Sequence, residues 1–450
     1  MKYNLSSSGR RRLRASAVIA SLAIAGVALA GCSASGNATQ AAPAAPSKLS
    51  GTVSLWHYWT DREAKAVQSL VDDFEKANPG VKVVVHPAQD DGKLTQVIAS
   101  GSNTVDVAWL ATPLQLGTLC PSGGFKDLGP YLTRDKVSLS QFSAVPRANS
   151  SYKGVQCSLP SVADSYGLYY NSALAAAAGI TSPPKTLSEL ESDALKMTTY
   201  NPDGSIKTLG FNPLMGFYQN KPEAYAPIAG ATWGTSTKSE LDTKNWADLM
   251  SWQKAFVDKI GYAKLKAFTS GLGDEFSANN AFQTGQVGMM MDGEWRVAFI
   301  RDQTPNLQYQ TAPFPVLDGH SDLYGGGYSV ANVLGIAKNS QHTELAWALL
   351  KYLTTNDAGL VKLANSVANI PPTTAAIHGT YSLPSQFNTF LTIAGNRNVG
   401  TPPNTAIGHG PQDTLLTAWQ AYQSGGAADP SKVLKDADTS INGSLGLSAG

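Results

Sequence analysis

Residues 53–83 read VSLWHYWTDREAKAVQSLVDDFEKANPGVKV, and the order of elements in and just after that stretch decides the fold class. The apolar run 52–56 predicts a short buried strand. Thr60 followed three residues later by Glu63 has the form of a capping box. Val67, Leu70, Val71 and Phe74 then recur at helical spacing, and Asn78-Pro79-Gly80 stops the helix. The β-branched run 81–85 predicts a second strand, 93–100 carries Leu94, Val97 and Ile98 on one helical face, and 105–110 predicts a third strand. Strand, helix, strand, helix, strand implies an α/β fold with a parallel sheet under covering helices. Ligands of such sheets sit beyond the carboxyl ends of the strands. His57, Tyr58 and Trp59, together with the turn after Leu110, therefore occupy a candidate binding edge.

Upstream of that stretch, Lys2, Arg10, Arg11, Arg12 and Arg14 form a basic leader, and 15–30 is a run of small and apolar residues. This pattern is that of a secretory signal peptide over 1–31, too short for a membrane span of about 20 residues. Residues 29–32, Leu-Ala-Gly-Cys, look like a bacterial lipobox, which implies lipidation of Cys32 and anchorage at the outer face of the cell membrane. Residues 32–50, rich in Ala, Ser, Pro and Gly, read as a flexible tether. The first 31 residues hold five of the 34 Lys and Arg and none of the 33 Asp and Glu, so the remainder carries a net charge of −4. A mildly acidic protein has no electrostatic reason to seek nucleic acid. Cys120 and Cys157 either pair as one disulfide or stay as two buried thiols; their spacing supports no metal site. About 400 residues remain after the tether, which implies two domains.

Downstream, 187–197, 245–258, 278–283 and 344–353 predict helices, and 287–291 and 330–336 predict strands. Tyr324-Gly325-Gly326-Gly327-Tyr328 is a backbone-permissive segment just before the second of these strands. It lacks the lysine and spacing of a phosphate loop. No nucleophile-elbow, zinc-protease or redox Cys-x-x-Cys motif is present, and the histidines are scattered.

Four segments resemble the family 1 extracellular solute-binding proteins, the maltose-binding-protein-like group. They are 53–83; SLPSVADSYGLYYNSAL, residues 158–174; FQTGQVGMMMDGEWRVAFI, residues 282–300, with its Gly-x-Trp; and GGGYSVANVLGIAKNSQHTELAWALLKYLTT, residues 325–355. They occur in family order. The resemblance implies a two-lobe periplasmic-binding-protein type II fold with discontinuous lobes joined by a hinge. The lobes would be 51–163 plus 329–354, and 164–328 plus 355–450, with crossings near 163–166, 325–329 and 354–358. It implies a monomer without a cofactor that hands a solute, most often a mono- or oligosaccharide, to the permease of an ABC importer, and no catalysis of its own.

Sugars offer flat C–H faces to aromatic rings and a rim of hydroxyls to carboxylates and amides. On that chemistry the candidate ligand-binding residues are Tyr58, Trp59, Asp164, Tyr166, Trp233, Trp295, Gly325, Gly326, Tyr328 and Arg397, with Asn369 behind them. Each has a plainer reading. Trp295 and Trp233 can be core tryptophans, Asp164 a turn cap, and the glycines a simple loop. Asp292 or Gly293 is expected to cap the helix that carries Trp295. Asp106 reads as structural, and Met289, Met290 and Met291 as core. A non-sugar solute, such as a glycerophosphodiester or a polyamine, is the alternative in the same architecture. A glycoside hydrolase would need two of Asp164, Asp292 and Glu294 about 5–10 Å apart across the bond.

Overall fold

The structure, a computed structural model, describes residues 41–448; the leader, Cys32 and the first part of the tether lie outside them. Among the described residues ten strands form one mixed sheet: β1 (Gly51–His57), β2 (Val81–His86), β3 (Val107–Leu110), β4 (Leu159–Asn171), β5 (Thr199–Tyr200), β6 (Ile206–Phe211), β7 (Val287–Gly293), β8 (Tyr309–Pro313), β9 (Gly327–Ile336) and β10 (Val399–Gly400). The order is β2-β1-β3-β9-β4-β7-β6-β5, with β8 beside β4 and β10 beside β9. β1 pairs in parallel with β2 and β3, as its place before two helices requires. β9 returns antiparallel between β3 and β4.

β4 divides the sheet. Its residues 159–165 pair with β9, and its residues 166–171 pair with β7 on one side and β8 on the other. On one side of this switch the helices Asp61–Ala77 and Thr343–Thr355 cover the first strands, burying Val67, Leu70, Val71 and Phe74 with Val53, Leu55 and Trp347. Each of these side chains contributes on the order of 1.5–3 kcal/mol by leaving water. Leu94, Ile98, Leu116 and Leu119 cover the opposite face. On the other side of the switch β7 is buried on both faces. Met289 and Met291 enter one cluster with Trp246, Phe256 and Trp419, while Met290 enters another with Phe282 and Phe390. A strand enclosed in this way reads as a continuous apolar run.

Four local expectations change. Thr60 forms no side-chain cap; Glu63 pairs instead with Arg62, and a capping box forms at Thr186 with Glu189. Residues 278–283 are turns, because the Asn280 side chain accepts from the backbone N–H of Phe282 and Gln283 and competes with helical bonding. Residues 354–358 do not cross the hinge. They join Thr343–Thr355 to the helix Asp357–Val367, whose Leu363 and Val367 sit in the first core and whose Lys362 pairs with Asp73. The chain returns to the switch later, where Ile370 bridges Ala163. The tether is also engaged before Ser50: Leu49 packs on the first core, and the Pro43 carbonyl accepts from Arg134 at 2.8 Å.

Candidate functional site

A cavity of about 780 Å³ opens beside the partner switch of β4, at the carboxyl ends of β1 and β3. Six of the sequence candidates line it together: Tyr58, Trp59, Asp164, Tyr166, Trp295 and Tyr328. Asn369 joins them.

The aromatic wall follows from strand geometry. Tyr166 and Tyr328 lie on facing strands and meet at 4.8 Å between ring centroids, and Trp295 stands edge-on to Tyr166 at 5.4 Å. Trp295 is itself the residue that starts the helix Arg296–Gln303. Asp292 does not cap that helix. It turns to Arg296, 2.7 Å away and fully buried, which neutralises a guanidinium that could not otherwise stay out of water. On the opposite wall Trp59 packs on Trp109 at 4.8 Å, so it serves the first core as well as the cavity. His57, two residues earlier, is fully buried and does not line the cavity.

The floor is a hydrogen-bonded network. The Tyr58 hydroxyl donates to Asn332 Oδ1 at 2.5 Å, and Asn332 Nδ2 donates to Asp164 Oδ2 at 3.0 Å. Asn369 Nδ2 donates to Asp164 Oδ1 at 2.6 Å and to Glu294 Oε1 at 3.0 Å, while the Ser165 N–H donates to Glu294 Oε2 at 2.7 Å. Burial pushes the Asp164 carboxyl up to about 6. Burial, and then the charge of Asp164, push Glu294 well above the usual carboxylate range.

Several lining residues had no sequence signal. The turn after Leu110 is held from outside: Asp91, at the start of the helix Asp91–Ala99 that precedes β3, accepts from the N–H groups of Ala111 and Thr112 at 2.8 and 3.1 Å. Burial raises Asp91 to about 6. Phe276 and Phe299 form an aromatic pair at the rim, 5.7 Å apart, with the Arg62 guanidinium over Phe299 at 4.4 Å. Lys221, Glu223, Gln412 and Asp413 come from loops and helix starts that carry no periodic pattern. Arg62 also pairs with Asp302 at 2.9 Å across the cavity, and Thr112 Oγ1 lies 3.3 Å from His409 Nε2.

Four candidates fall outside the cavity lining. Trp233 packs edge-on against Trp246 at 5.1 Å in the second core. Gly325 and Gly326 abut Asn396 and Asn398 instead; a Cβ on Gly326 would stand 2.6 Å from the Asn398 carbonyl, so this loop needs glycine for close backbone packing. Arg397, in the same neighbouring loop, is exposed. Cys120 and Cys157 are joined as a disulfide with Cα atoms 5.9 Å apart. Asp106 accepts from Ser54 and Ser340 just before β3, away from the cavity, in the structural role expected of it. Among the described residues no group of three or more His, Cys, Asp or Glu is placed to hold a metal ion.

The bacterial extracellular solute-binding protein family matches residues 59–360. A maltotriose-binding protein of Pyrococcus abyssi is 23% identical over 326 residues, 72% of this chain, and the chain spans 66% of that relative's length. CpMnBP1 with mannobiose bound is 26% identical and superposes with a TM-score of 0.76, covering 86% of this chain and 98% of that one. The maltose/maltodextrin-binding domain of Bdellovibrio bacteriovorus has the same fold, at 21% identity and a TM-score of 0.69, over 88% of this chain and all of that one. A cavity walled by rings and floored by carboxyl and amide groups, set beside the strand that divides the sheet, thus stands in a chain that belongs to the bacterial extracellular solute-binding proteins.

Proposed function

We propose that this chain captures an oligosaccharide between two closing lobes and delivers it to the permease of an ABC importer. The carrying observation is the arrangement of the cavity. The Tyr166, Tyr328 and Trp295 rings suit sugar C–H faces, and the Asp164, Asn369 and Tyr58 floor suits their hydroxyls. A volume of about 780 Å³ accommodates more than one sugar ring, in the range typical of ligand sites. The bound mannobiose and mannotriose of CpMnBP1, and the maltotriose named for the Pyrococcus relative, support the same class.

In this reading the lobes are 51–163 plus the β9 return, and 164–328 plus the C-terminal helices, with the helix Asp357–Val367 added to the first lobe. Cys32 carries the lipid anchor that holds the protein at the outer face of the membrane. A glycerophosphodiester fits poorly. The lining carboxylates Asp61, Glu63, Asp164, Glu223, Asp302 and Asp413 outnumber Arg62 and Lys221, and Arg62 is already paired. Hydrolysis by the three carboxylates read from the sequence also fits poorly. Asp292 is bound to Arg296, and Glu294 shares the Asn369 amide donor with Asp164 rather than standing across a bond from it.

Titration of the protein with mannose, mannobiose, mannotriose and maltotriose, followed by tryptophan fluorescence, tests this reading. At least one oligosaccharide gives a saturable change, and Trp295→Ala weakens its binding by about ten- to a hundredfold, the range of a buried aromatic anchor. Folded protein that responds to none of these sugars would overturn the carbohydrate assignment.

A further inference from the structure

Beneath the cavity two carboxyl groups, Asp164 and Glu294, are bridged by the one amide nitrogen of Asn369, and among the described residues no cation pairs with either. Asp164 receives Asn332 and Asn369; Glu294 receives the Ser165 N–H and Asn369. All of these donors are neutral. Two anions so placed, out of water, repel each other with nothing to offset it, so the pair must share one proton. Glu294 is fully buried and does not line the cavity, whereas Asp164 is partly open and lines it. The proton therefore belongs on Glu294, and the charge on Asp164.

We propose that Glu294 is a positioning residue of the binding site: as a neutral acid it donates to Asp164 and holds it as an anion presented to the ligand. The inference rests on the solute-binding reading of the cavity. The contact also joins the crossing segments. Asp164 is on β4, Asn332 on β9, Asn369 beside the Ile370 bridge, and Glu294 follows β7. The other titratable groups around the pair do not supply a counter-charge. Tyr58, Tyr166 and Tyr328 near Asp164, and Tyr169 near Glu294, are phenols that burial keeps neutral. Glu63 and Asp91 are further acids, and the buried guanidinium of Arg296 is taken by Asp292. A neutral Glu294 also agrees with the upward displacement of both carboxyls by burial.

Glutamine copies a protonated glutamate, with one acceptor oxygen and one donor side; alanine copies neither. With mannotriose as the probe, Glu294→Gln should bind within about twofold of the wild type at neutral pH. Glu294→Ala should lose about tenfold or more, because the Ser165 N–H is left unpaired and Asp164 loses its donor. Wild-type affinity should fall as pH drops through about 6, where Asp164 is protonated, and fall again in alkali as Glu294 ionises; Glu294→Gln should lack the alkaline limb. Infrared difference spectra of the sugar-free protein provide a readout that does not depend on binding. At neutral pH the wild type should show one protonated-carboxyl C=O stretch that Glu294→Gln lacks. Glu294→Gln as weak as Glu294→Ala, or no such band, would overturn the proposal. If the wild type binds no sugar, the carbohydrate reading falls, and the infrared spectrum alone decides where the proton sits.

Discussion

His57 sits between two aromatic neighbours in the chain and yet takes no part in the cavity. It is fully buried, both ring nitrogens lack a hydrogen-bond partner among the described residues, and burial lowers it from 6.5 to about 4. The unfolded chain binds a proton at His57 below pH 6.5, and the folded protein does so only near pH 4. The stability present above pH 6.5 is therefore lost as pH falls from 6.5 to about 4, by about 3 kcal/mol in all. The raised carboxyls at Asp164 and Asp91 act in the opposite direction, so the effect is read as a difference between variants. Denaturant unfolding of wild type and His57→Phe at pH 7 and pH 4.5 checks it, with His57→Phe gaining relative stability in acid. A constant difference between the two pH values would place the charge cost elsewhere.

Tyr58 and Trp59 were legible in the sequence because they follow the end of a strand, where the apolar pattern stops while bulky residues continue; Asp164, Tyr166 and Trp295 were legible through the resemblance, and the structure sets the first two in the middle of β4 and the third at a helix start. Glu294 and Asp91 were not legible as parts of a binding floor. Their roles depend on which backbone amide or carboxyl the fold brings beside them, and sequence spacing carries no trace of that. Trp233 misled for a related reason. Its flanking glycines suggested an open loop, but the loop folds Trp233 back onto Trp246.

At the scale of elements, period and punctuation carried well. The run 187–197 coincides with the helix Leu187–Met197, and 344–353 lies within Thr343–Thr355. What failed had a local cause: an Asn side chain bonding its own backbone at Asn280, and a Thr60 cap that gave way to an Arg62–Glu63 pair. The two-residue strands β5 and β10 are too short to leave a pattern. The disulfide ties the end of the short helix Leu116–Leu119 to the entry of β4, across 37 residues of sequence. Chain-entropy arguments give such a loop about 3–4 kcal/mol of stabilisation. Changing both Cys120 and Cys157 to Ser should lower unfolding stability by about that amount, as measured by urea denaturation, and should leave the cavity intact because neither residue lines it. An unchanged unfolding midpoint would show that the bridge constrains little.

For the whole molecule, the strand order explains why one cavity can be shared by two bodies. β4 belongs to both halves of the sheet, β9 runs beside it, and Ile370 bridges it again. Few segments cross, so the halves can turn about them while each core stays packed. Arg62 with Asp302, and Thr112 with His409, reach across the opening in the form described here. Both are partly exposed side-chain contacts, worth at most about 1 kcal/mol for the ion pair, so a ligand that touches both walls can dominate the balance between open and closed forms. Hydrogen exchange, read peptide by peptide with and without a saturating amount of the tightest-binding oligosaccharide, tests capture between the two walls most directly. Capture between the walls should slow exchange in 58–63 on one side and in 164–166 and 294–299 on the other, in the same titration. Protection confined to one side, or absent from both while the sugar is bound, would contradict it.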